Sequence, residues 1–122
     1  MGNPAVLIVE DDQDVAELYS RVLASSGYTT ETVRTGEAAL TRLAVTAPGV
    51  VVLDLSLPPH VSGADVLNQI RSDQRLAETR IIVVTGHPDL ADTVRDKVDL
   101  VLLKPVDVNQ LSDFVARLRP SN

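Results

Sequence analysis

Five polar or charged side chains follow short apolar segments of this sequence. They are Glu10, Asp11, Asp54, Thr85 and Lys104. If the apolar segments are parallel strands, their carboxyl ends bring these side chains to one sheet edge, which is where open α/β sheets build their sites. Carboxylates are the hard oxygen ligands that Mg²⁺ prefers, while a hydroxyl and an ammonium suit phosphoryl oxygens. The sequence therefore predicts a site for a divalent cation and a phosphoryl group.

The apolar segments that must position these side chains have the pattern of strands in a parallel sheet. The predicted strands are Ala5–Val9, Tyr28–Val33, Val50–Leu55, Arg80–Val84 and Leu100–Leu103. Val50–Leu55 is apolar almost throughout, which is typical of a strand covered by helices on both faces. Strands that alternate with helices along the chain indicate right-handed crossovers and a doubly wound α/β fold with five parallel strands.

Apolar residues at helical spacing predict a helix after each strand. The five predicted helices are Gln13–Ser25, a segment capped by Thr35 and stopped by Pro48, Ala64–Asp73, a short helix at Asp89–Asp96, and Val108–Leu118. Asp12 and Asp107 are expected to cap two of them, and Gly27 to end the first in the left-handed conformation. Leu18 and Leu90 are predicted to face the core.

Four further residues are predicted to be solvated. They are His60, Arg71, Arg75 and Arg80. His60 stands in a proline-containing loop, and arginine is rarely buried without a partner.

Composition limits the classes of protein that this chain can belong to. Its 122 residues fit one domain, residues 1–122, and the 44% hydrophobic content excludes a disordered chain. The absence of cysteine excludes disulfides and thiolate zinc sites. The net charge of −6 makes direct nucleic-acid binding by this domain unfavourable. With no secretory leader and no apolar run of membrane-spanning length, we expect a cytoplasmic protein that does not interact with membranes.

Four motifs in chain order carry a resemblance to a known family. They are Ile8–Asp12, Leu53–Pro58 followed by Gly63, Val84–Gly86, and Lys104–Pro105. Together they resemble the receiver domain of two-component response regulators, of the type found in the chemotaxis regulator, over essentially the whole chain. The resemblance implies a flavodoxin-like fold with strand order 2-1-3-4-5. The chain fits either a stand-alone receiver or the receiver part of a longer protein, and Met1 close to the first strand favours a natural N-terminus.

The resemblance implies that Asp54 accepts a phosphoryl group from a histidine kinase or a histidine phosphotransfer protein. It also implies a metal ion, Mg²⁺ or Mn²⁺, bound by Asp11, Asp54 and the backbone carbonyl of Ser56, and by Glu10 directly or through water. Crowded carboxylates repel one another and favour protonation, and a dication reverses this effect. Asp54 would then stay a carboxylate nucleophile.

The resemblance implies that the other site residues contact the phosphoryl group and affect the lifetime of the aspartyl phosphate. Thr85 and Lys104 would contact phosphoryl oxygens, and the bond before Pro105 is typically cis in this family. The aspartyl phosphate hydrolyses by itself, so the signal is timed. Ser56 and His87 would flank the phosphoryl group and tune the access of water, although a loop histidine without a partner is more simply solvated.

The sequence departs from the family pattern around the last two strands. Val101 stands where an inward-swinging aromatic is usual, Leu103 where a hydroxyl residue is common, and Val106 where an aromatic is common. The segment between Thr85 and Lys104 is also short, which predicts a short or irregular fourth helix. We therefore expect phosphorylation to be retained, and switching to depend on Thr85 and loop rearrangement instead of an aromatic lever.

Three other classes of protein share parts of this pattern. One is a receiver-like interaction module that works without phosphorylation, which Val101 and the short fourth helix favour. Another is an aspartate-nucleophile phosphatase of the haloacid dehalogenase type, but that family carries a second Asp where Ser56 stands. A flavodoxin-like FMN protein is disfavoured because acids after the first strand repel a phosphate. We therefore expect a signalling receiver and not an enzyme, one that catalyses only its own phosphorylation and dephosphorylation. The sequence does not identify the cognate kinase, the output or the oligomeric state.

Overall fold

A computed structural model describes residues 4–58 and 60–118 of the chain. In these residues five parallel strands form one sheet in the order β2-β1-β3-β4-β5. The strands are β1 (Val6–Val9), β2 (Thr30–Val33), β3 (Val50–Asp54), β4 (Arg80–Thr85) and β5 (Leu100–Leu103). The predicted α/β class and strand order are confirmed.

Five α-helices connect or follow the strands of the described residues. They are α1 (Gln13–Ser25), α2 (Gly36–Leu43), α3 (Gly63–Ser72), α4 (Pro88–Val94) and α5 (Val108–Leu118). Two 3₁₀ turns, Gln74–Leu76 and Arg95–Lys97, lead towards β4 and β5. The fourth helix has only 7 residues, so the prediction of a short helix is confirmed.

Helices cover both faces of the sheet, as alternate residues of β1 show. Val6 and Ile8 pack with side chains of α1 and α5, whereas Leu7 and Val9 pack with side chains of α2, α3 and α4. Every residue of β3 is buried because this central strand has a neighbouring strand on each side and helices on both faces.

Local capping explains where several helices begin and end. Asp12 accepts hydrogen bonds from the N–H groups of Asp14 and Val15, and Thr35 caps α2. Gly27 has a φ of 95°, so the left-handed ending of α1 is confirmed. The start of α3 was predicted one residue late, because Ser62 caps this helix in a reciprocal arrangement with Asp65.

Two predicted core residues are exposed instead. Leu18 in α1 is 46% exposed and Leu90 in α4 is 42% exposed. In α1 the buried stripe is narrow and includes Ala16 but not Leu18. In α4, which begins at Pro88, the buried position is Ala91 instead of Leu90.

Arg71 and Arg80 are exposed, as predicted, but both also bond to other parts of the protein. Arg71 donates to the carbonyl oxygens of Lys97 and Thr79, at 2.8 and 3.2 Å, and to Asp99. Asp99 also accepts from Arg80 and from the backbone N–H of Ile81, the latter at 2.7 Å. These bonds join the end of α3 to the turns that lead into β4 and β5.

Arg75 is likewise exposed, as predicted, and also bonded to the protein. Its guanidinium donates to the carbonyl oxygens of Leu43 and Thr46, so it closes the open end of α2 against the following turn. His60 is exposed, as predicted, but it has a φ of 91°.

Replacing Asp99 with Ala should lower the free energy of unfolding by about 2 kcal/mol, because hydrogen bonds to charged groups contribute roughly that amount. The loss leaves the Ile81 N–H without its side-chain acceptor and removes one of the three acceptors of Arg71. Urea unfolding followed by far-UV circular dichroism measures this change. Asp96→Ala, in the exposed turn nearby, is the control, and an equal loss in both variants would contradict the assigned role.

Candidate functional site

The carboxyl ends of four strands place polar side chains at one edge of the sheet. Glu10 follows β1, Asp54 ends β3, Thr85 ends β4 and Lys104 follows β5. The N–H of Lys104 donates to the carbonyl of Thr85 at 2.9 Å, which joins the ends of the last two strands. The predicted convergence of these side chains is therefore found in the structure.

Lys104 contacts two buried carboxylates. Its ammonium lies 2.9 Å from Asp54 Oδ2 and 3.4 Å from Glu10 Oε1. Both acidic side chains are 2% exposed, whereas Lys104 is 34% exposed. Burying two negative charges beside one positive charge is unfavourable unless another cation or a proton compensates.

Backbone N–H groups hold the remaining oxygen of each buried acid. Asp54 Oδ1 accepts from the N–H of Ser56 at 2.8 Å, and Glu10 Oε2 accepts from the N–H of Asp12 at 3.2 Å. Each carboxylate is thus fixed between a backbone group two residues further along the chain and the ammonium of Lys104.

Three carboxylates have the spacing of a metal site. Glu10, Asp11 and Asp54 each offer one oxygen, and these oxygens all lie within 4.8 Å of one another. Asp11 is exposed, so the cluster opens to solvent on one side. Mg²⁺ keeps several waters and takes few carboxylates, and Mn²⁺ accepts the same oxygen ligands. The donor set therefore fits either ion.

Burial raises the pKa of the Glu10 carboxyl to about 7, and the charge of Asp54 adds to this effect. The hydrogen bond from Asp12 and the charge of Lys104 act in the opposite direction. Burial lowers the pKa of Lys104, but its hydrogen bond to Asp54 and the two neighbouring acids outweigh burial and raise it overall. The site without a metal ion is therefore short of positive charge.

In the absence of a divalent cation, we expect the free energy of unfolding to fall as the pH rises from about 5 to about 8. Glu10 has a pKa of about 7 in the fold against 4.5 as the reference value, so the folded protein binds more protons between these values. Each unit of pKa difference corresponds to about 1.4 kcal/mol. Urea unfolding in a chelating buffer across this range measures the slope.

Glu10→Gln is the matched variant for this pH dependence, because the amide keeps the size of the side chain and cannot titrate. Its slope should be flatter than that of the wild type. Saturating Mg²⁺ should also flatten the wild-type slope, because a bound dication favours the charged carboxylate. An unchanged slope in Glu10→Gln would assign the titration to another group.

Thr85 is fully buried at the end of β4, and its hydroxyl oxygen accepts from the N–H of His87 at 3.1 Å. This bond uses a lone pair and leaves the hydroxyl hydrogen available to an incoming acceptor. His87 itself is exposed and immediately precedes α4, where its side chain makes no capping bond.

The other predicted site residues lie around this centre. Ser56 is exposed directly after Asp54 and Leu55. The Lys104–Pro105 peptide bond is cis, as the resemblance implies. Val101 is half-buried and packs on the core, so an aliphatic contact stands where the family pattern has an aromatic.

An apolar opening beside Lys104 was missed at the sequence level. Its volume is about 450 Å³, and its lining residues are Val15, Leu18, Tyr19, Lys104, Pro105 and Val106. The ring of Tyr19 is buried, and burial together with the charge of Glu10 raises its pKa to about 12. Tyr19 is buried and Val15 packs on the core, so only Leu18 departs from the helical stripe that the sequence predicts to face the core.

Comparison with known proteins places this arrangement in a family. The family model described as the response regulator receiver domain matches residues 6–116. The chain belongs to the response regulator receiver family. The DNA-binding response regulator MtrA of Mycobacterium tuberculosis is 33% identical over 117 residues, which cover 93% of this chain and 48% of that protein. The DNA-binding dual master transcriptional regulator RpaA of Synechocystis is 29% identical, over 95% of this chain and 48% of that protein.

Solved structures of receivers are similar to this receiver in fold. The response regulator TrrA from Thermotoga maritima, in complex with Mg²⁺-BeF, has a TM-score of 0.83 and 27% identity over 97% of this chain and 99% of that one. A CheY-like receiver domain from Methylobacillus flagellatus has a TM-score of 0.83 and 29% identity over 93% and 97% of the two chains. This receiver spans about a fifth to a half of the length of the curated relatives that it matches. Within the described residues, no helix combines the length and the apolar character that a bilayer crossing requires.

Proposed function

We propose that this receiver is a phosphoacceptor whose Asp54 is phosphorylated in a Mg²⁺-dependent reaction. The observation that carries the proposal is the position of Asp54, which is buried, lies 2.9 Å from the ammonium of Lys104 and belongs to a cluster of three carboxylates. A buried carboxylate with a lysine and a divalent-cation site beside it suits phosphoryl transfer, which depends on positioning and charge neutralisation.

In the proposed reaction an Asp54 oxygen attacks the phosphorus of a phosphohistidine. The new O–P bond forms as the P–N bond breaks, and the electron pair of the broken bond remains on the imidazole nitrogen. That nitrogen takes a proton from water, or leaves as neutral imidazole if the donor is already protonated. The product is an aspartyl phosphate, and the donor histidine is restored.

The residues around Asp54 would each take part of the developing charge. Lys104 is close enough to move from Asp54 to a phosphoryl oxygen, and the free hydrogen of the Thr85 hydroxyl can be donated to another. Glu10, Asp11, Asp54 and the carbonyl of Ser56 would hold the cation, which supplies charge neutralisation at the reacting oxygens when it is bound.

Dephosphorylation returns the receiver to its starting state. Water attacks the phosphorus, the Asp54 carboxylate leaves, and inorganic phosphate is released. Ser56 and His87 are exposed beside Asp54 and Thr85, so both are proposed to affect the approach of that water. The receiver is thus not an enzyme acting on another substrate.

The proposed phosphodonor is a histidine kinase or a histidine phosphotransfer protein. The apolar opening beside Lys104 supports a protein donor, because exposed Leu18 can contact a partner next to the site. Named relatives such as MtrA are DNA-binding proteins about twice this length. For this domain alone, whose net charge is −6, we propose that the output does not involve direct DNA contact.

A receiver-like interaction module that works without phosphorylation is the alternative function. Val101 in β5 is aliphatic where the family pattern has an aromatic lever, and α4 has only 7 residues. Both features favour the interaction module. The two functions differ in one experiment. Intact-protein mass after incubation with a small acyl phosphate should show one added phosphoryl group only when Mg²⁺ is present. No adduct, and no binding of a beryllofluoride analogue, would favour the interaction module.

A further inference from the structure

Gly36, the first residue of α2, lies directly against the backbone of Val61. A Cβ atom at position 36 would stand 2.3 Å from the carbonyl oxygen of Val61 and 2.7 Å from its Cγ1. Both distances are shorter than any ordinary contact, so only a residue without a side chain permits this approach. The position is buried, and a larger residue could not turn away into solvent.

The segment that follows Val61 is pressed against the strand that carries Asp54. A Cβ atom on Gly63 would stand 2.7 Å from the carbonyl oxygen of Asp54 and 2.6 Å from the Cα of Leu55. Val61 also packs on the core next to α2 and α3. The start of α3 is therefore held between two backbones, that of α2 on one side and that of β3 on the other.

The backbone conformation of His60, the residue before Val61, indicates that neighbouring contacts hold this segment in place. His60 has a φ of 91°, a left-handed conformation that is unfavourable for a residue with a side chain. Such a conformation persists only when neighbouring contacts fix it. The close approach of Gly36 and Val61 is a contact of this kind.

We propose that Gly36 is a positioning residue for the metal site, acting through Val61. The inference rests on the proposed function, in which Asp54 and the carbonyl of Ser56 hold Mg²⁺. Ser56 leaves β3 just after Asp54, and the chain returns to the same strand at Gly63. The contact between Val61 and Gly36 holds this loop against α2, and in this role it fixes the direction of the Ser56 carbonyl. Gly36 itself touches no ligand.

Gly36→Ala should therefore weaken Mg²⁺ binding by about tenfold, the usual order for losing a group that orients a metal ligand. Titrating Mg²⁺ while following the amide resonances of Ser56 and Gly63 gives the dissociation constant and shows whether the loop has moved. Ala39→Gly, at a buried position of the same helix, is the control for stability, because it weakens α2 without adding an atom near Val61. Its Mg²⁺ affinity should stay within about twofold of the wild type.

Val61→Gly provides a second variant that cannot clash. It removes the packing of Val61 and loosens the same contact, so its Mg²⁺ affinity should also fall severalfold. This variant decides the matter if Gly36→Ala does not fold. Wild-type affinity in both variants, or an equal loss in Ala39→Gly, would overturn the positioning role alone. A wild-type protein that binds no Mg²⁺ would overturn the proposed function as well.

Discussion

Asp54→Asn should reduce phosphorylation by a small acyl phosphate by about three orders of magnitude or more, because the variant loses its nucleophile. The amide keeps the size of the side chain, and its oxygen can still accept from the N–H of Ser56. Its NH2 group then replaces the acceptor of Lys104, whose ammonium keeps Glu10 as its partner. The fold without a metal ion should not be weakened, since the substitution removes one of two buried negative charges that share Lys104. Intact-protein mass with and without Mg²⁺ measures the first effect, and urea unfolding measures the second.

Asp12→Asn is the matched control for this substitution. It makes the same chemical change close to the site, but at an exposed residue whose role is to cap α1. Asparagine caps helices about as well as aspartate, so stability and phosphorylation should both stay close to wild type. If Asp54→Asn still carries one phosphoryl group under the same conditions, the acceptor is another residue and the proposed chemistry is wrong.

The fold and the location of the site could be predicted because they depend on short-range patterns. Each strand is a short apolar run that ends in a polar residue, and parallel strands must present those ends at one edge. Asp12, Thr35 and Gly27 marked helix boundaries through local hydrogen bonding and φ preference, which depend on a few neighbouring residues. These features need no knowledge of the rest of the molecule.

The sequence was least informative where a side chain suited either of two environments, such as the core or a surface opening, or solvent or protein acceptors. Leu18 has helical spacing with Val15 and Val22. Only the packing of α5 and the turn after Lys104 shows that its side chain lines an opening. Arg71 looks like a surface residue in the sequence. Its acceptors lie on two other turns, at Thr79 and Lys97, and their closeness is a property of the folded chain.

The contact between Gly36 and Val61 was out of reach for the same reason. Glycine occurs at the start of helices for several reasons, and no local pattern indicates that a backbone 25 positions away excludes a Cβ atom. Charge and distance make Asp54 and Lys104 the two residues on which the proposed chemistry depends. Experiments on those two residues are therefore the most informative.

Lys104 and a divalent cation compete for the same carboxylates. The ammonium contacts Asp54 and Glu10, and the burial of Glu10 raises its pKa to about 7 even with Lys104 present. A dication at the three-carboxylate cluster would supply the missing positive charge and free Lys104 to meet a phosphoryl oxygen. One lysine is then expected to have opposite effects on metal binding and on phosphoryl transfer.

Lys104→Met should lower the rate of phosphorylation by about 100-fold or more, the usual order for removing one group that neutralises a developing charge. Mg²⁺ affinity should rise, because the competing ammonium is gone and two buried acids need a cation. In chelating buffer the free energy of unfolding should fall by about 2 kcal/mol, less than for a fully buried pair because Lys104 is 34% exposed. Excess Mg²⁺ should restore most of that loss.

Slower phosphorylation together with tighter Mg²⁺ binding is expected only if Lys104 competes with the metal ion. A substitution that merely disturbed the site would weaken both Mg²⁺ binding and phosphorylation, as would a general loss of stability. Lys97→Met, at an exposed lysine, controls for the loss of one positive charge from the surface and should change neither quantity. Mg²⁺ titration, intact-protein mass and urea unfolding on the same two variants give the three readouts. Weaker Mg²⁺ binding in Lys104→Met would show that the lysine supports the metal site, and that the charge deficit does not control it.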